Sequence, residues 1–127
     1  MATPNDALVY VVDDDEAVRD STVILLGSEN IAAAGYATAR DFLADFDPAG
    51  AGCIILDVHM PGMSGIALLG MLWARGVTTP VIVLTGRADT FLESAVRRGG
   101  ASLLNKPPDG DELLTLVKAA LGNPPVT

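Results

Sequence analysis

Three short runs in this chain are apolar from end to end: Leu8–Val12 (LVYVV), Cys53–Leu56 (CIIL) and Val81–Leu84 (VIVL). A strand with one wet face alternates apolar and polar residues. A strand that is apolar throughout must be covered on both faces, which is the habit of parallel sheets sandwiched by helices. The segments between the runs read as those helices. Glu16–Leu26 carries Ala17, Val18, Leu25 and Leu26 at helical spacing, and Thr38-Ala-Arg-Asp41 resembles a capping box ahead of Phe42, Leu43 and Phe46. Ile66–Trp73 and Thr90–Arg98 are helical in pattern, and Asp109-Gly-Asp-Glu112 opens a last helix that runs to about Leu121 and stops at Gly122. Two weaker strands, Ile31–Ala37 and Ala101–Asn105, complete five strand–helix units in succession. The expected fold class is therefore α/β, a parallel sheet with helices on both faces.

Composition fits one domain. The chain has 127 residues, half of them apolar, enough for one core. No apolar run reaches the length of a membrane span, and MATPNDA lacks the basic and apolar regions of a signal peptide. Cys53 is the only cysteine and His59 the only histidine, which excludes an internal disulfide and any zinc site built from several of either. A reducing, cytoplasmic setting is the natural expectation. The formal charge of −8 would repel a phosphate backbone, so nucleic acid is not an expected partner of this domain. The domain is expected over residues 8–121, with residues 1–7 as an N-terminal tail and 122–127 as a tail or the start of a linker.

In a parallel α/β sheet, ligands bind beyond the carboxyl ends of the strands. Past the first strand stand Asp13, Asp14 and Asp15, past the third Asp57, past the fourth Thr85, and past the fifth Lys106; the second offers nothing similar. Acids, a hydroxyl and an ammonium thus converge on one edge from distant segments. This set suits Mg²⁺, which takes one or two carboxylates along with phosphate oxygens and water. Lys106 can meet phosphoryl oxygens as a point charge, Thr85 can donate to another, and a carboxylate can attack phosphorus to give an aspartyl-phosphate. Taken singly, the residues have plainer readings. Asp13 with Glu16 fits a helix N-cap, Asp15 suits a capping or solvated role, and a lone loop His59 is commonly just exposed. Cys53 reads as a small core hydrophobe, and Arg97-Arg98 as a charge pair at a helix end.

The stretches VYVVDDDEAVR, IILDVHMPGMSGIALL, PVIVLTG and LLNKP, in this order and spacing, resemble the receiver domain of bacterial two-component response regulators, with wording most like the FixJ or NarL type. The resemblance implies a flavodoxin-like sheet of order 2-1-3-4-5 with five helices. It implies that Asp57 accepts a phosphoryl group from the phosphohistidine of a sensor histidine kinase. Asp13, Asp14, Asp57 and the backbone carbonyl of His59 would hold Mg²⁺, and Thr85 and Lys106 would bind the phosphoryl oxygens. The Lys106–Pro107 bond would be cis. Phosphorylation-dependent dimerisation through the fourth helix and fifth strand would follow the family habit. Such a domain is an enzyme only toward its own phosphorylation and dephosphorylation.

The match departs from the family at Leu103, at Pro108 and, in a minor way, at Gly99-Gly100, where Gly-Ala is common. Leu103 stands where Tyr or Phe is usual, which puts the aromatic readout in question. Pro108 replaces a large apolar residue and should alter packing of the loop before the last helix. His59 and Arg87 occupy positions whose side chains tune hydrolysis in the family. Two other functions compete. One is a receiver-like interaction module that takes no phosphate. The other is a haloacid-dehalogenase-type phosphohydrolase using Asp13-Asp14-Asp15, against which stand Ala17, the absence of room for a cap domain, and the idle Asp57.

Overall fold

A computed structural model describes residues 7–60, 62–86 and 90–122. The order of elements is β1 (Leu8–Val12), α1 (Glu16–Ser28), β2 (Ala33–Tyr36), α2 (Ala39–Asp45), β3 (Ala51–Asp57), α3 (Gly65–Ala74), β4 (Val81–Thr85), α4 (Thr90–Arg98), β5 (Ser102–Asn105) and α5 (Gly110–Ala120). The strands form one five-stranded sheet ordered β2-β1-β3-β4-β5, with every pair parallel. Both the class and the strand order match the expectation.

Alternation along each strand splits the core into two layers. Tyr10, Val12, Ile54, Leu56 and Val83 point toward Ala39 and Phe42 of α2, Leu68 and Leu72 of α3, and Val96 of α4. Val9, Val11, Cys53, Ile55, Ile82 and Leu84 point the other way, toward Leu26 of α1 and Leu113 and Val117 of α5. The three apolar runs are thus buried on both faces, as their composition requires. On the α2 side, Tyr10 makes edge contacts with Phe42 and Phe46 at ring separations of 5.4 and 5.1 Å.

The helices begin where short polar side chains can take a free amide. Asp15, Thr38, Ser64 and Asp109 each accept a hydrogen bond from a backbone N–H in the first turn of α1, α2, α3 and α5. Asp15, not Asp13, is therefore the cap of α1. The second strand is shorter than the pattern over Ile31–Ala37 implied. Asn30 takes a left-handed φ of 60° and the Ile31 N–H bonds the Leu26 carbonyl at 3.0 Å. Ile31 therefore closes α1, which runs on to Ser28, before the ladder with β1 begins.

Asp57 and Thr85 are the last rungs of β3 and β4 rather than residues beyond them, paired with Leu84 and Asn105 respectively. Asp13 and Lys106 lie one residue past β1 and β5, their amides still bonded to the Tyr36 and Thr85 carbonyls at 3.0 and 2.8 Å. The Lys106–Pro107 bond is cis. Pro107 and Pro108 line an apolar cleft of about 220 Å³ together with Ala17, Val18 and Leu25 of α1, so the loop before α5 faces α1 across it. Leu103 is half-buried and lines a separate cleft of about 610 Å³ between β5 and α5. Arg87 lies outside the described residues. Among the described residues no helix is long and apolar enough to cross a membrane.

Candidate functional site

The carboxyl edge of the sheet brings the expected residues together. Asp13, Asp57 and Thr85 are the buried polar residues there, with 1%, 2% and 0% of their surface exposed. One carboxylate oxygen each from Asp13, Asp14 and Asp57 lies within 4.8 Å of the others, with Asp14 on the solvent side. Lys106 reaches in from the far end of the sheet. Its Nζ donates to Asp13 Oδ1 at 3.0 Å and to Asp57 Oδ2 at 3.2 Å, bridging the two buried acids. The other Asp57 oxygen accepts the His59 N–H at 3.1 Å. His59 thus meets the site through its backbone, and its side chain is exposed.

Asp13 is held from several sides. Its Oδ1 also accepts the Asp15 N–H at 2.9 Å, and its carbonyl accepts from the Arg19 guanidinium at 2.9 Å. Its Oδ2 is buried and has no hydrogen-bond partner among the described residues. Leaving a carboxylate oxygen in that state is costly unless a cation meets it.

Burial is the main cause that raises the Asp57 pKa. The His59 amide opposes it, the negative charge of Asp13 adds to it, and Lys106 opposes it again. For Lys106, burial alone would lower the pKa. The hydrogen bond and charge of Asp13, then the charge and hydrogen bond of Asp57, outweigh it, and the ammonium ends above its ordinary range. The three carboxylates against one ammonium leave an excess of two negative charges on this edge. An orphaned oxygen, all-oxygen donors and this excess together fit a hard divalent cation, Mg²⁺ before a softer metal.

Two features of the site were not read from the sequence. Arg19 grips the Asp13 carbonyl, although only its place in the first motif hinted at any role. Gly65, at the start of α3, packs so closely on β3 that a Cβ there would collide with the Asp57 carbonyl and with Val58 Cα. Its N–H bonds the Val58 carbonyl at 3.1 Å, which pins the helix to the strand that carries Asp57.

At one carboxyl edge of a parallel sheet ordered β2-β1-β3-β4-β5, Lys106 is shared by two buried strand-end acids. The chain matches the response regulator receiver domain family over residues 9–118 and belongs to that family. It is 43% identical over 120 residues to the transcriptional regulatory protein FixJ of Azorhizobium caulinodans, covering 94% of this chain and 57% of that one. It is 40% identical over 116 residues to the C4-dicarboxylate transport transcriptional regulatory protein DctR of Rhodobacter capsulatus, covering 89% and 59%. The chain therefore spans between half and two thirds of the length of these relatives. Among solved structures, response regulator StyR superposes with a TM-score of 0.86 at 34% identity, over 92% of this chain and 60% of that one. A response regulator receiver protein from Burkholderia phymatum does so at 0.77 and 36% identity, over 91% and 95%.

Proposed function

We propose that this domain is a phosphorylatable switch in which Asp57 is the phosphoacceptor. Its donor is the phosphohistidine of a sensor histidine kinase. A carboxylate oxygen of Asp57 forms a bond to phosphorus as the phosphorus–nitrogen bond to the donor imidazole breaks, and the imidazole leaves with the bonding pair. The observation that carries this reading is the Lys106 ammonium bridging Asp13 and Asp57 beside the orphaned Asp13 Oδ2.

Asp13, Asp14, Asp57 and the His59 carbonyl would hold Mg²⁺. When bound, the ion screens the repulsion between the attacking carboxylate and the phosphoryl oxygens. Lys106 is placed to follow the Asp57 oxygen and meet the phosphoryl group as it arrives. Thr85, at the end of the neighbouring strand, donates its hydroxyl to another phosphoryl oxygen. The domain thereby catalyses only its own phosphorylation and the loss of that group. Phosphorylation-dependent pairing through α4 and β5 is the output proposed for this switch, with Leu103 on β5 where the family usually has an aromatic residue.

The test is intact mass after incubation with Mg²⁺ and acetyl phosphate, beside an Asp57→Asn control. One added phosphoryl group in the wild type alone is the expected result. No adduct, together with unchanged Trp73 fluorescence in beryllofluoride, would reject the phosphoacceptor reading and leave an interaction module.

A further inference from the structure

Strand β2 places no chemistry at its own end, yet the acidic loop depends on it. The Asp13 N–H bonds the Tyr36 carbonyl at 3.0 Å, and Gly35, one residue earlier, faces Val11 in register. A Cβ on Gly35 would lie 3.0 Å from Cγ and 3.1 Å from Cδ of Arg19, and 3.6 Å from Cγ2 of Val23. The glycine therefore leaves a track in which the Arg19 stem lies across the sheet edge. At its end the guanidinium donates to the Asp13 carbonyl at 2.9 Å.

The polar groups of Asp15 are already committed. The Asp15 N–H bonds Asp13 Oδ1, the Asp15 carbonyl takes the Arg19 N–H at 2.9 Å, and Asp15 Oδ1 takes the Val18 N–H. The Asp13 carbonyl lies past the last β1 residue, so a side chain takes the place of a strand partner. The peptide unit is planar, so fixing that carbonyl also fixes the N–H of Asp14 and the direction in which its Cα continues. A charge-assisted bond from a rigid guanidinium does this more firmly than a neutral donor would.

We propose that Arg19 is a positioning residue: laid along the Gly35 track, it sets Asp13 and Asp14 relative to one another so that both can face one cation with Asp57. Its fixed charge also offsets part of the repulsion in the acidic run. The proposal rests on the reading of these three acids as cation-holding, and its test separates the two. Wild type, Arg19→Met, Arg19→Lys and Gly35→Leu would be compared by ¹⁵N relaxation without metal and by calorimetric titration with Mg²⁺. In the wild type, order parameters at Asp14 and Asp15 should be near the rigid value of about 0.85, falling below about 0.6 in Arg19→Met and Gly35→Leu. The Mg²⁺ dissociation constant should rise about tenfold in both, as for other residues that orient ligands from behind. Arg19→Lys should recover the greater part of each effect.

Unchanged order parameters and a dissociation constant within about twofold of wild type in Arg19→Met would overturn the proposal. A loop that stays rigid in Arg19→Met would also overturn it, and a dissociation constant that falls there would show Arg19 acting only as a nearby positive charge that repels the ion. If Arg19→Met fails to fold, Gly35→Leu decides, because it displaces the stem and keeps the charge. A folded wild type that binds no Mg²⁺ would sink the reading of the acids, and the relaxation data would still judge Arg19.

Discussion

Cys53 and Asp57 lie four residues apart on β3, and the same force acts on both. Each is buried, and burial raises each pKa, because a charge is poorly solvated inside the sheet. Their surroundings then diverge. Against burial, Cys53 has only a backbone hydrogen bond at Ile54, and its thiol is pushed up to about 12. Asp57 has the His59 amide on one oxygen and the Lys106 ammonium on the other, against the nearby charge of Asp13. The body of the strand makes an ionisable group inert. Its end keeps one buried and supplies the partners that let it ionise.

The largest effect expected from this contrast is all-or-none. A thiol reagent at pH 8 should leave Cys53 of the native protein unmodified and label it fully in denaturing urea. Labelling at equal rates in both would show that the middle of β3 opens as readily as its edge.

Next in size is Lys106→Met, which removes the cation shared by Asp13 and Asp57. Breaking a buried pair costs about 3–5 kcal/mol, and the 18% exposure of the Lys106 side chain reduces the expected loss to about 2 kcal/mol at pH 7. The folded Lys106 pKa lies above its unfolded value, so its contribution is complete below the unfolded value of 10.5 and disappears as pH rises through the folded one. Urea melts of wild type and variant should therefore converge at strongly alkaline pH. Curves that stay parallel across that range would mean the ammonium does not stabilise the site.

The smallest effect has the opposite sign. The Asp57 pKa is raised in the fold, so its ionisation opposes folding. That cost is absent below the unfolded carboxylate value, grows as pH rises from there to the folded one, and is complete above it. Asp57→Asn should raise the melting temperature by a few degrees at pH 7, with the gain vanishing at low pH. A loss of stability at pH 7 would mean that the charge on Asp57 is worth more to the fold than its desolvation costs.

The sheet was legible because its three central runs cannot be anything but strands covered on both sides, and the site was legible because strand ends converge in a parallel sheet. What stayed hidden has a common cause: it depends on which polar groups find each other in space. Asp13 and Asp15 are chemically alike two residues apart, and either can cap α1. Asp15, directly before Glu16, does so, while Asp13 turns its Oδ1 to Lys106 from the other end of the chain. Ile31 reads as strand by type, but the left-handed turn at Asn30 commits it to the end of α1. Gly35 and Gly65 are silent in a pattern of apolar residues, since what they contribute is space for Arg19 and for the Asp57 backbone.

The contact of Gly65 with β3 has a consequence for variation. The Gly65 amide reaches back to the Val58 carbonyl, so the segment between them leaves and rejoins the scaffold at nearly one point. A loop whose two feet are tied together can lengthen without prying them apart, since its closure is already made and each doubling of length adds only about 0.6 kcal/mol. Residues 62–64 are therefore a place where this chain can accept a short insertion, such as a tag or a fluorophore site, while Asp57 and the start of α3 keep their seats.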